Sequence, residues 1–156
     1  MSRSSGFPEL NFPAYSFRIK ESEGNFEIFD PVRKKFVALT PEEWVRQHVI
    51  AFLNSAKGYP LSLLKVEKQF TLNRLVKRAD IVACNKSGKP VLIVECKSYD
   101  VPISQDTFDQ AVRYNLVLQV NYLLITNGMN TYCCSLVNGE YTALNDVPDY
   151  NSLLIT

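Results

Sequence analysis

The chain has 156 residues and a formal net charge of +1. That length sets one domain with a real core as the expectation, and the near-neutral charge excludes a protein that binds polyanions through bulk charge alone. Hydrophobic residues make up 46% and charged residues 21%, which excludes disordered and collagen-like classes.

No apolar run approaches the roughly 20 residues a membrane helix needs. Met1–Tyr15 holds no apolar stretch of signal-peptide type. A cytoplasmic protein without membrane contact is therefore expected. The cysteines Cys84, Cys96, Cys133 and Cys134 form no CxxC pair, and the single histidine, His48, supplies no zinc spacing. Cys84 and Cys96 read as small buried apolar residues.

Residues 1–13, with Pro8 and Pro13 and little periodicity, read as a loose arm. Tyr15–Lys20 and Asn25–Phe29 alternate apolar and polar residues around the turn-forming Glu21–Gly24, which predicts a hairpin. Asp30-Pro31 favours a turn. Arg33-Lys34-Lys35 reads as a solvated basic cluster, and Phe36–Leu39 suits a short strand.

Thr40-Pro41-Glu42-Glu43 is a helix start, in which Thr40 caps, Pro41 suits the first helical position and Glu43 closes a capping box. Trp44, Val45, His48, Val49, Phe52 and Leu53 recur at helical spacing and predict a buried face, with the helix ending near Asn54. His48 on that face reads as a satisfied core histidine. At about 100° per residue, Glu42 falls on the flank of the apolar face and Glu43 points further away. Glu42 is then the site candidate and Glu43 the cap.

Ser62–Leu72 is strand-like, and Glu67 within it reads as an exposed carboxylate. Arg74–Cys84 predicts a second strand and Val91–Lys97 a third, joined by the loop Asn85–Pro90. A strand sends alternate side chains to opposite faces. Val91, Ile93, Glu95 and Lys97 share one face, and Leu92, Val94 and Cys96 the other. Pro102 and Ser104 open a helix running to about Gln119. Phe108, Ala111, Val112, Asn115 and Gln119 fall on one face of it, while Gln110 and Tyr114, spaced i and i+4, share another. Asn121–Thr126 is a short strand, reached by a crossover that should be right-handed and parallel. Thr131–Val137 and Glu140–Leu144 flank Asn138-Gly139, a strong hairpin signal. Asp146–Thr156 carries no assignment. The expected fold is α/β: a mixed sheet in α-β-β-β-α-β order with an added β-hairpin at each end.

In a hairpin around Asn85–Pro90, Asp80 comes level with Glu95. Two carboxylates held close repel, and one pKa rises unless a cation sits between them. A hard divalent ion, Mg²⁺ or Mn²⁺, satisfies both. Lys97 then stands where it orients a water or steadies developing negative charge. From Lys65 to Lys97, eight basic residues accompany three acidic ones, a balance of +5, and two of those acids are Asp80 and Glu95. A basic surface around an acidic centre suits a polyanion such as DNA. A solvated sheet face is the plain alternative.

Asp80, fourteen further residues, then Glu95-Cys96-Lys97 resembles the PD-(D/E)xK nuclease superfamily. Ala79 stands where the motif's name has proline, a departure many members share. Gln110 and Tyr114 after this motif are similar to the QxxxY of the exonuclease branch. Over Thr40–Gly128 the pattern resembles the N-terminal nuclease domain of type I restriction enzyme R subunits, in a small stand-alone form. The resemblance implies a restriction-endonuclease-like fold, with Asp80 and Glu95 as metal ligands and Lys97 as the catalytic lysine. It also implies a glutamate at the start of the first helix, Glu42, and Gln110 as a residue that orders a ligand or a phosphate. Nucleic-acid contacts then fall to Lys77, Arg78, Arg113 and Tyr114. The implied activity is Mg²⁺- or Mn²⁺-dependent hydrolysis of phosphodiester bonds in DNA, in restriction or repair. Partner subunits would supply the motor, since the chain carries no G-x-x-x-x-G-K-[ST] phosphate loop. The rival reading is a nuclease-fold module that grips nucleic acid or a protein partner without cutting.

Overall fold

The computed structural model describes residues 6–72 and 74–153. Three antiparallel strands come first: β1 (Ile19–Ser22), β2 (Asn25–Asp30) and β3 (Lys35–Ala38). They form a sheet of their own. The N-terminal hairpin therefore does not extend the main sheet, as an added hairpin at that end would. β1 also begins later than the alternation from Tyr15 predicts. Tyr15 and Phe17 instead set their rings against His48, and Phe17 also meets Trp44.

Helix α1 (Pro41–Ser55) follows, with the Thr40 hydroxyl accepting the Glu43 amide hydrogen at 3.1 Å. Its apolar face, Val45, Val49, Ile50 and Leu53, is buried together with Ile28 of β2. His48 is buried on that face as expected, with Nδ1 2.8 Å from the Trp44 carbonyl oxygen. Burial lowers its pKa and the carbonyl contact only partly offsets this.

The main sheet has six strands in the order β4 (Leu64–Leu72), β5 (Leu75–Cys84), β6 (Pro90–Cys96), β7 (Tyr122–Thr126), β8 (Thr131–Val137) and β9 (Glu140–Leu144). All neighbours are antiparallel except β6 and β7, which run parallel and are joined through helix α2 (Gln105–Leu118). The core order α-β-β-β-α-β and the terminal hairpin in the sheet match the sequence pattern. A short helix, α3 (Tyr150–Leu153), lies in the stretch left unassigned.

Strand alternation divides the core into two layers. Ile81, Leu92, Val94 and Leu124 pack with the apolar face of α1. Val82, Cys84 and Ile93 form a cluster on the other face. Leu123 and Ile125 meet Ala111, Phe108 and Val112 of α2 there. Each fully buried Leu, Ile or Val contributes about 1.5–3 kcal/mol, and these layers fix the strand ends that carry the charged residues. The four cysteines are buried and free.

Residues 1–5 fall outside the description. Beyond them the expected loose arm is a strap. Asn11 donates its amide hydrogen to the Gly128 carbonyl at 2.7 Å and its side-chain amide to the Met129 carbonyl at 2.7 Å. The Trp44 indole donates to the Pro8 carbonyl at 2.9 Å. Leu10 is buried over Gly128, where a Cβ would stand 2.9 Å from the leucine methyls and where φ is +86°. Glycine is required there for contact and for conformation alike. The strap has no regular secondary structure, so it carries no periodicity to read. Among the described residues no helix is long and apolar enough to cross a membrane.

Candidate functional site

The site begins at a fault in the sheet. Val66 pairs with Ile81 and Lys68 with Ala79, which leaves Glu67 and Asp80 unpaired between them. Glu67 sits at φ +56°, a left-handed conformation unusual within a strand. On the other side, the β5–β6 ladder stops at Ile81 opposite Val94. Side-chain alternation slips at the same point. Ala79 packs in the cluster of Val82 rather than that of Ile81, and the slip carries Lys77 round to Glu95.

Asp80 fills the resulting gap with its side chain. Oδ2 accepts the Cys96 amide hydrogen at 2.7 Å, the donor the ladder no longer satisfies. Oδ1 accepts from Arg46 Nη2 of α1 at 3.1 Å. Glu95 projects from the end of β6, its side chain 13% exposed, with Lys77 Nζ 2.7 Å from Oε1. The approach misses hydrogen-bond geometry, so Oε1 is charge-compensated yet buried without a directed donor. Burial raises the Glu95 pKa; the Lys77 ammonium counters only part of this, and the nearby Asp80 carboxylate adds to the rise. The two carboxylates thus sense one another, Asp80 from the break and Glu95 from the strand end.

Arg46 is the hub on the α1 side, and sequence periodicity missed it. Its side chain is 6% exposed, with Nη1 2.8 Å from Glu43 Oε1 and Nη2 3.3 Å from Glu42 Oε1 as well as near Asp80. Its Nε is buried and unpartnered. Burial opposes the guanidinium's charge, but Glu43 and Asp80 outweigh it and hold the pKa above the ordinary arginine value. Arg33 donates to the same Glu43 oxygen at 2.6 Å and also holds Asp30. It is drawn out of the basic cluster expected at 33–35. Glu67 stands 3.8 Å from both Arg33 and Arg46, nearer to this network than a plain exposed carboxylate would be.

The two glutamates of α1 exchange the places expected of them. Glu43 is the buried one, bonded by two arginines and by Gln47. Glu42 is half-exposed, at 49%. Its carboxyl pKa is raised by burial and then by Asp80, while Arg46 and Lys97 pull it down. Glu42 is thus an α1 carboxylate within electrostatic reach of Asp80 and Lys97, while Glu43 shares the Arg46 guanidinium with Asp80.

A cleft of about 330 Å³ opens beside these groups, lined by Lys77, Glu95, Lys97, Thr107, Gln110 and Tyr114 among others. It gathers five of the residues the sequence singles out. The Lys77 ammonium lies 4.6 Å from the centre of the Tyr114 ring, and the Tyr114 hydroxyl is buried without a partner. Gln110 is exposed and lines the cleft. Arg78 and Arg113 are exposed and lie outside the cleft lining. No larger cage exists: among the described residues, no group of three or more His, Cys, Asp and Glu side chains is gathered to hold a metal. Mg²⁺ does not demand one, since it is held by one or two carboxylates together with waters and substrate oxygens. Asp80 and Glu95 are the carboxylates that could form such a pair, and the orphaned Glu95 oxygen fits the role of a donor.

A mixed six-stranded sheet between two helices, with carboxylates and a lysine gathered at the end of its third strand, is a nuclease-like arrangement. The match to known families narrows it: residues 41–148 match the family described as type I restriction enzyme R protein N terminus. The chain belongs to that family. Among solved structures it is similar to the fragment structure of a "putative HsdR subunit of a type I restriction enzyme" from Vibrio vulnificus YJ016, with TM-score 0.55 and 22% identity over 75% of this chain and 25% of that one. It is also similar to a "putative nuclease belonging to DUF820" from Anabaena variabilis ATCC 29413, with TM-score 0.50 and 12% identity over 86% of this chain and 83% of that one. The match covers a quarter of the length of the Vibrio fragment. No curated protein matches it.

Proposed function

We propose that this chain is a metal-dependent nuclease that hydrolyses phosphodiester bonds in DNA, in restriction or repair and beside partner subunits. The supporting observation is the cleft in which Lys97, Glu95, Lys77, Gln110 and Tyr114 converge next to Asp80. Asp80 and Glu95 would hold Mg²⁺ or Mn²⁺. Such an ion, when bound, polarises the phosphate and makes water a better nucleophile. Lys97 keeps its ammonium within electrostatic reach of Glu42 and Glu95. From there it orients water and meets the negative charge that builds on the phosphate. Glu42 adds a carboxylate able to accept a proton or steady the ion. Gln110, Tyr114 and Lys77 line the path of the strand, while exposed Arg78 and Arg113 contact phosphates further out.

The test is cleavage of single-stranded, duplex and branched DNA, with RNA alongside, in Mg²⁺ or Mn²⁺ and in EDTA. EDTA-sensitive cutting that Glu95→Gln abolishes supports the nuclease. A second reading, a module that binds without cutting, draws on Arg46 and Lys77, which already neutralise both carboxylates. It predicts nucleic-acid binding that Glu95→Gln leaves unchanged, with no cutting of any substrate.

A further inference from the structure

Lys77 occupies the place on Glu95 that a metal ion would take. Its ammonium lies 2.7 Å from Oε1, outside hydrogen-bond angles, and 4.6 Å from the centre of the Tyr114 ring. A cation over an aromatic face is held by the ring quadrupole whether or not a carboxylate is also present. Lys77 thus has two partners on one stem. It also borders an open cleft, beside Val76, which is 60% exposed. Lysine suits such an exchange, since its ammonium is a compact charge on a flexible stem with three rotatable donors.

We propose that Lys77 is an exchangeable placeholder in the site. It neutralises Glu95 while the metal is absent, yields the carboxylate when a divalent cation binds, and then pivots over Tyr114 to a phosphate oxygen of the nucleic acid. The inference rests on the nuclease reading, because it takes Glu95 as a metal ligand. It adds a coupling: metal and nucleic acid bind in mutual support through one lysine. By linkage, whatever the metal does for phosphate binding, the phosphate does for metal binding by the same factor. Without Lys77 the bare Glu95 would meet the metal uncontested, and the nucleic acid would lose a contact only in the metal-bound state.

Two titrations on the intact chain at constant pH test this. In the first, Mn²⁺ is titrated by calorimetry into wild type, Lys77→Met, Tyr114→Leu and Glu95→Gln. The expected result is about tenfold tighter binding in Lys77→Met, weaker binding in Tyr114→Leu, which removes the ring that holds the released ammonium, and loss of the site in Glu95→Gln. The Lys77→Met gain should persist in 0.5 M salt, since a buried contact is screened little while a distant charge is screened strongly. In the second, a fluorescent DNA duplex is bound in EDTA and in Ca²⁺. Lys77→Met should weaken binding and reduce the salt slope by about one contact, in Ca²⁺ only. If Mn²⁺ binding depends on Glu95 but is equal in wild type and Lys77→Met, the placeholder fails and the nuclease reading stands. If Glu95→Gln binds Mn²⁺ as wild type does, both fall. Tyr114→Leu keeps Lys77 in place and serves if Lys77→Met does not fold.

Discussion

The carboxylate of Asp80 accepts the amide hydrogen of Cys96 at 2.7 Å, at the step where the β5–β6 ladder has ended. A side chain thus closes the gap between two strands, and it does so with the group proposed as a metal ligand. Position and chemistry are coupled through one residue. The other oxygen of the same carboxylate accepts from Arg46.

Asp80→Asn separates these roles. An amide presents one acceptor and one donor, so either the Cys96 N–H or the Arg46 guanidinium would face a donor. Leaving such a buried group unsatisfied costs about 1–3 kcal/mol, and the melting temperature in EDTA should fall. Mg²⁺ or Mn²⁺ should raise the wild-type melting temperature, because a ligand that binds only the folded state stabilises it. Asp80→Asn should lose most of that rise. An equal metal-induced shift in both proteins would place the metal elsewhere.

Arg46→Met should be among the most destabilising changes on α1. The substitution leaves Glu43, buried, and Asp80 without their shared guanidinium. Breaking a buried ion pair from one side costs about 3–5 kcal/mol. Arg46→Lys should recover little, because one ammonium cannot reproduce the fork that spans Glu42, Glu43 and Asp80. Urea unfolding would show this as a lower midpoint at constant slope. An unchanged midpoint would mean that the network contributes nothing.

The sheet was legible because its signals are local. Alternation placed Glu95 opposite in sense to Val94 and Cys96, Asn138-Gly139 marked the hairpin, and Thr40-Pro41 marked the helix start. Of the residues in the Asp80, Glu95 and Lys97 spacing, Glu95 and Lys97 line the cleft and Asp80 stands outside its lining. Arg46, Arg33 and Glu43 were not legible, because charged residues read as solvent-facing until a distant partner buries them. Arg46 meets Asp80 across 34 residues of chain. The slip at Asp80 was hidden for a related reason. It depends on Glu67 of the neighbouring strand, and no local pattern in β5 announces that its face changes.

The pKa shifts set the sign of a pH dependence. Glu95 and Glu42 both have raised pKa values in the folded, metal-free protein, chiefly through burial. For a raised carboxylate, the folded state holds a proton that the unfolded state has released. Its stability contribution is therefore complete below the ordinary glutamate value and is lost as pH rises through the raised value. Metal binding runs the other way, since it needs the carboxylate and competes with that proton. Metal-induced stabilisation should grow as pH rises through the same window. Thermal melts across that range, with Mn²⁺ and with EDTA, would check it. A metal-induced shift that is flat with pH would exclude both glutamates as ligands.

Lys97→Ala is the sharpest test of chemistry at this site. Lys97 lies just past the end of β6, its amide donating to the Thr126 carbonyl at 2.8 Å, so the backbone holds it in register with β7. The alanine variant keeps that bond and should fold normally. Removing one ammonium from a many-contact basic surface should barely change nucleic-acid affinity, which is set by the sum of phosphate contacts. In the proposed transition state the same ammonium would meet developing charge in the cleft. Losing such a group costs on the order of 3–4 kcal/mol, or about two to three decades in rate. Single-turnover cleavage with Mn²⁺, beside a binding titration in Ca²⁺, measures both quantities on one protein. A hundredfold or greater loss of rate at unchanged affinity assigns Lys97 to the reaction. Equal losses of rate and affinity would make it a binding lysine, and an unchanged rate would remove it from the chemistry altogether.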